Sequence, residues 1–183
     1  MKQLLLGGLG IVGLVSFAML AFAQSGGAKA GALAPDFKAT SQDGKSHNLA
    51  SLTKDGDLVL YFIKEGCPVN HRAAPFFKKI DDAYKGKANI VGVINGSVSD
   101  AKAWAKDYGT NFPILSDATM KIIRSYGVVS SPWAIVIGKD GKVKKVLPGG
   151  ASGNLSEINA IAAKNAGAKV ASLSFDGSPS GGG

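Results

Sequence analysis

One side chain in this 183-residue protein is a soft nucleophile: Cys67 is the sole cysteine. It is followed by Pro68-Val69-Asn70-His71-Arg72, so a thiol, an amide, an imidazole and a guanidinium stand close together in the chain. A single cysteine excludes, within one subunit, an internal disulfide, a Cys-x-x-Cys pair, a structural zinc ribbon and an iron–sulfur cluster. His47 and His71 are the two imidazoles, too few for a multi-histidine metal site, and neither a metal nor any other cofactor is expected. What remains is thiol chemistry with one sulfur. A thiolate at Cys67 would attack a disulfide to give a mixed disulfide, or a peroxide to give a sulfenic acid, and the second sulfur would come from another molecule.

Position favours this chemistry. Leu58-Val59-Leu60-Tyr61-Phe62-Ile63 is a continuous apolar run bounded by turn residues, which predicts a strand buried on both faces. A helix follows from Pro68, with Ala73, Phe76, Phe77, Ile80 and Tyr84 recurring at three- and four-residue spacing on its core side. Proline suits a first helical turn because its missing N–H would have been unpaired there, so Cys67 is placed at or beside the N-cap. Free backbone N–H groups and the positive end of the helix dipole stabilise a thiolate at such a corner. The carboxyl end of a strand is also where open α/β sheets present ligand sites. A lone cysteine is most often a small buried hydrophobe, but Glu65-Gly66 before it and Pro68 after it mark a loop-to-helix corner rather than an apolar stripe. His71 and Arg72 add positive potential to the first turns, although helix geometry leaves open whether either reaches the sulfur. His71 reads first as an exposed helix residue, and His47 as a surface strand residue. Pro75 falls inside the helix, at the expense of a backbone hydrogen bond or of straightness. Pro132 precedes the apolar run Trp133 to Ile137, where either a trans edge proline or a cis bond is permitted.

The remaining chain builds the frame. Lys2, the apolar run Leu4 to Ala21 and Ala21-Phe22-Ala23 read as a signal peptide over residues 1–23, so the mature protein is expected to be exported, periplasmic or extracellular, with no stable membrane insertion. Residues 24–33 are small and polar and read as a linker, residues 34–167 as one domain, and residues 168–183 as a disordered tail. The formal charge of +8 falls to +7 without the leader, which holds one basic residue and no acid. Its lysines are dispersed rather than clustered, so nucleic-acid binding is not expected. Asp43-Gly44 centres one hairpin and Lys139-Asp140-Gly141 a second, between Trp133–Ile137 and Val143–Leu147. Ile90 to Ile94 is another buried strand and Phe112 to Leu115 a short one. Helices are expected over Ser99–Tyr108, over Ala118–Tyr126 capped by Asp117, and from Asn154 with Glu157 completing a capping box. Alternating β and α elements with a late hairpin predict an α/β protein: a three-layer α/β/α sandwich with an N-terminal β-hairpin and a mixed central sheet.

Several separated motifs resemble the redoxin group of thioredoxin-fold proteins, which includes the AhpC/TSA (peroxiredoxin) family and the TlpA/ResA-type thiol-disulfide oxidoreductases. These are Ala34-Pro35-Asp36-Phe37, Asp43-Gly44-Lys45, Phe112-Pro113-Ile114-Leu115-Ser116-Asp117, Tyr126-Gly127-Val128, Ser131-Pro132 and Asp140-Gly141-Lys142. By this resemblance Cys67, with Pro75 eight residues later, corresponds to the attacking cysteine, and Asn70 occupies the resolving position. Cys67-Pro68-Val69-Asn70-His71-Arg72-Ala73-Ala74-Pro75 is similar to a Cys-Pro-x-x-x-Arg-x-x-Pro branch of exported bacterial redoxins. The peroxiredoxin pattern Pro-x-x-x-Thr-x-x-Cys is absent, since Leu60 and Lys64 stand where it needs Pro and Thr. The resemblance implies a cis Pro132 with the Ser131 backbone opposite Cys67, pairing with an extended substrate segment. Two functions follow: a monothiol oxidoreductase or antioxidant protein, in which Cys67 attacks a protein or small-molecule disulfide or a peroxide and an external thiol resolves it, or a binding module that docks a partner near Pro132 and uses the thiol little. A disulfide-linked homodimer through Cys67 is compatible with the first.

Overall fold

The computed structural model describes residues 26–182. The leader read at residues 1–23 lies outside the described residues. A small antiparallel hairpin, β1 (Lys38–Thr40) and β2 (Ser46–Asn48), opens the fold. A short helix, α1 (Leu49–Thr53), follows it. The central sheet is β3 (Leu58–Ile63), β4 (Ile90–Ile94), β5 (Ile114–Ser116), β6 (Trp133–Ile137) and β7 (Val143–Pro148), in the order β5-β4-β3-β6-β7. β3, β4 and β5 are parallel, and β6 and β7 are antiparallel additions on the other side.

The apolar run of β3 is central because both of its faces are covered. Val59, Tyr61 and Ile63 point to one face and pack with α2 (Pro68–Ala83), α3 (Val98–Tyr108) and α5 (Ser152–Ala166). Leu58, Leu60 and Phe62 point to the other, against α4 (Lys121–Ser125), Leu49 of α1 and Phe37 before the hairpin. This is the α/β/α sandwich with a mixed sheet and an N-terminal hairpin that the pattern of elements predicts. Among the described residues, no helix is long and apolar enough to cross a membrane.

Several local expectations are corrected. α4 begins at Lys121 rather than Ala118, because Asp117 first closes a turn with the N–H of Met120, 2.8 Å from its carbonyl oxygen. Its carboxylate then accepts from the N–H of Ile123 at 2.9 Å and so still serves the helix start. α5 begins at Ser152, so Asn154 lies inside its first turn and no capping box forms. Asn154 instead donates from Nδ2 to the carbonyl oxygen of Pro148 at 2.7 Å, while Glu157 pairs with Lys145 at 2.6 Å. The expected linker is docked: Gly31 N–H donates to Val143 O at 2.8 Å and Val143 N–H to Ala32 O at 2.9 Å. Residues 168–182, expected to be disordered, form no helix or strand but lie along the body. Their anchor is Phe175, a large apolar side chain buried against the core.

Candidate functional site: a thiol corner facing a cis-proline loop

The chain leaves β3 at Ile63, turns through Gly66 at φ +71° and enters α2 with Cys67 as N-cap and Pro68 in the first turn. A left-handed φ favours glycine, which explains Gly66 directly before the thiol. Cys67 is extended, at φ −83° and ψ 116°, and its side chain caps no backbone N–H. The residue is 6% exposed, and its Sγ lies 3.9 Å from the carbonyl oxygen of Ser131. The Ser131–Pro132 bond is cis. Residues 67 and 131 thus meet across the helix start and the loop preceding β6.

A buried polar chain joins those two parts beneath the thiol. Tyr61 Oη donates to Asn70 Oδ1 at 2.7 Å, and Asn70 Nδ2 donates to Ser131 Oγ. Ser131 Oγ in turn donates to the Phe62 carbonyl oxygen at 2.7 Å and accepts from the N–H of Lys64 at 3.2 Å. Asn70 is fully buried, and every one of these polar groups has a partner, as burial requires. Tyr61 is stacked on Phe77, with ring centroids 3.7 Å apart. Burial pushes the Tyr61 hydroxyl well above its ordinary pKa, with smaller contributions from Tyr108 and Cys67, so it stays a neutral donor.

His71 and Arg72 go elsewhere. The His71 imidazole is hydrogen-bonded through Nδ1 to Tyr108 Oη and lies 5.1 Å from the Trp104 ring, joining α2 to α3. Arg72 is exposed and forms no ion pair with any described residue. Beside the cis-proline loop opens a pocket of about 180 Å³ lined by Phe62, Lys64, Asn95, Met120, Val129 and Ser131, among others. It lies at the carboxyl ends of β3 and β4, where an open α/β sheet admits ligands.

Residues 30–146 match the profile of the AhpC/TSA family. The chain belongs to the AhpC/TSA family. It is 31% identical over 121 residues to thiol-disulfide oxidoreductase ResA of Geobacillus thermodenitrificans (strain NG80-2), covering 65% of this chain and 69% of the relative. ResA of Halalkalibacterium halodurans is 29% identical over 138 residues, covering 74% and 78% of the two chains. Among solved structures, a secreted Mycobacterium tuberculosis disulfide oxidoreductase homologous to E. coli DsbE superimposes with a TM-score of 0.57 at 26% identity, over 70% of this chain and 95% of that one. Peroxidoxin BcpB of the same organism shares the fold, with a TM-score of 0.61 at 22% identity over 76% and 96% of the chains. This AhpC/TSA chain is therefore a thiol-disulfide-oxidoreductase-like redoxin with a thioredoxin-like fold.

Of the residues singled out from the sequence, Cys67, Pro68, Asn70, Ser131 and Pro132 converge on one corner, whereas His71 and Arg72 do not turn inward. Sequence reasoning missed Tyr61. Its signal was present: a hydroxyl within an otherwise apolar, fully buried strand needs a partner.

Proposed function

We propose that this redoxin is an exported monothiol oxidoreductase. Cys67, as thiolate, attacks one sulfur of a protein or small-molecule disulfide; the S–S bond breaks, a mixed disulfide forms, and the other sulfur leaves as a thiolate that takes up a proton. An external thiolate then attacks the mixed disulfide at the substrate sulfur and releases the Cys67 thiolate. With a peroxide, the O–O bond breaks, Cys67 becomes a sulfenic acid and an alcohol or water leaves; an external thiol condenses with the sulfenic acid and expels water. The observation that carries this reading is the Cys67 sulfur at the N-cap of α2, facing the Ser131 carbonyl oxygen at 3.9 Å, with a buried asparagine in the resolving position. Pro68 shapes the helix start, Asn70 holds the corner rigid through Tyr61 and Ser131, and the Ser131–Pro132 backbone docks the substrate segment. The domain spans residues 34–167, and export rests on the leader pattern of residues 1–23.

Acid quenching followed by alkylation tests this. Wild type exposed to a disulfide or peroxide is expected to carry a mixed disulfide or sulfenic acid that Cys67→Ser lacks. No Cys67-dependent adduct would leave the second reading, a docking module around Pro132, which the burial of Cys67 favours. A dimer linked through Cys67 would appear in the same experiment as a reducible doubling of mass.

A further inference from the structure

The segment after α5 travels the length of α2 and ends on the cis-proline loop. At the far end of α2, Ala171 N–H donates to Tyr84 Oη at 3.0 Å, and Asn159 Nδ2 donates to Ala171 O at 2.9 Å. Midway, Lys79 Nζ donates to Ser174 O at 2.9 Å, and the buried Phe175 ring meets Phe76 edge-on at 6.2 Å between centroids. A turn closed by Ser178 N–H to Phe175 O at 3.1 Å then delivers Pro179, which is buried. A methyl group placed on Gly150 would lie 2.8 Å from Pro179 Cγ and 3.1 Å from Pro132 Cγ, so the two proline rings share one packing site. A methyl group on Gly182 would lie 2.9 Å from Ser130 Oγ and 3.4 Å from the carbonyl oxygen of Ser131. That carbonyl is the one the Cys67 thiol faces.

We propose that Pro179–Gly182 is a built-in occupant of the docking edge: the edge takes a polypeptide segment of small residues, and takes it from another molecule only when this segment lifts. The proposal rests on reading the Ser131–Pro132 loop as that edge. Composition fits the role, because Pro-Ser-Gly-Gly presents no bulk that would hinder a chain laid against the loop, and its backbone bends at Ser180 and Gly181 as it crosses it. Attachment fits it too. The foot of the segment is hydrogen-bonded and anchored by Phe175, whereas Pro179–Gly182 forms no hydrogen bond with any described residue. A tip held by packing alone opens at far lower cost than the body it lies on.

Two chains test it: one ending at Asp176, which keeps the Phe175 anchor, and full-length Gly182→Val, which disturbs only the tip. Backbone hydrogen exchange across Val129–Trp133 should quicken in both. Reaction of Cys67 with a short Ser/Gly peptide carrying an activated disulfide should rise about tenfold in the shortened chain if the tip is docked about nine-tenths of the time. A synthetic peptide of residues 174–183 added to the shortened chain should slow that reaction again. Unchanged exchange, or equal rates in shortened and full chains, overturns the occupant. Iodoacetamide separates this failure from that of the redox reading: a shortened chain whose Cys67 resists even this small probe sinks the redox role, while the exchange data still decide where the tip lies.

Discussion

Asn70 bridges Tyr61 and Ser131 where it has no exposed surface, which makes it a structural brace three residues after the thiol. Asn70→Ala would strand the Tyr61 hydroxyl and cost about 1–3 kcal/mol, readable as a lower urea midpoint at constant m. Asn70→Cys asks a different question. Side chains three apart on a helix are neighbours with Cβ atoms about 5–6 Å apart, and a disulfide draws them to about 3.5–4.5 Å. Under oxidant this variant should lose both thiols to an internal bond at the cost of two hydrogens, while wild type loses its one only to an adduct that adds mass, as separated by alkylation and mass. Retention of both free thiols would show that the corner cannot supply that geometry. The corner was legible where residue type is restrictive: a unique thiol before a proline, and a serine–proline step before a strand. The brace was not, because Tyr61, Asn70 and Ser131 belong to three elements and no local pattern links them.

Helix starts mark where local pattern suffices and where it misleads. α3 is capped by Ser97, whose side chain accepts from Asp100 N–H at 3.3 Å while Asp100 reaches back to Ser97 N–H at 2.7 Å. Its end at Gly109 takes the left-handed conformation, φ +59°, which glycine adopts without the steric cost of a side chain. Ser97→Ala should therefore destabilise by about 1 kcal/mol in denaturant, and a neutral outcome would mean that Asp100 alone satisfies the turn. Asn154-x-x-Glu157 carries the same kind of pattern, yet α5 starts earlier because Asn154 is drawn to the Pro148 carbonyl on β7, a partner that linear pattern cannot reveal. α1 went unseen for a related reason. Its cap pairs Asn48 with Ser51, and serine is not the acidic or amide residue usually sought at that place.

Across the whole molecule, two buried carboxylates pull stability in opposite directions with pH. At Asp57, burial alone would raise the pKa, but Lys144 at 2.7 Å and Lys164 at 3.4 Å outweigh it and hold the carboxyl below its ordinary value. Its stabilising contribution is present above the unfolded value of ~3.9 and is lost as pH falls through the lowered one. Asp81 is the reverse: burial first, then Asp82, raise it, with Lys78 opposing. Its contribution is complete below ~3.9 and is lost as pH rises through the raised value. Urea titrations from pH ~3 to ~8 should show Asp57→Asn flattening the acid limb and Asp81→Asn removing the decline on the alkaline side of ~4. Unaltered limbs in the variants would assign the pH dependence to other groups. The sandwich itself was legible because β3 is apolar on both faces and turn residues bound it. The course of residues 168–182 was not, since small residues have no periodicity and one phenylalanine fixes the path. The sheet also separates the chain's two indoles. Trp104 belongs to the core on the α2 face and lies against His71, while Trp133 follows Pro132 directly and packs toward the opposite core. Neither indole N–H has a hydrogen-bond partner among the described residues. Emission from the native chain is thus an unlabelled optical readout with two addresses: Trp104→Phe leaves a fluorophore that senses the proline loop, and Trp133→Phe leaves one that senses the contact of α2 with α3 at His71.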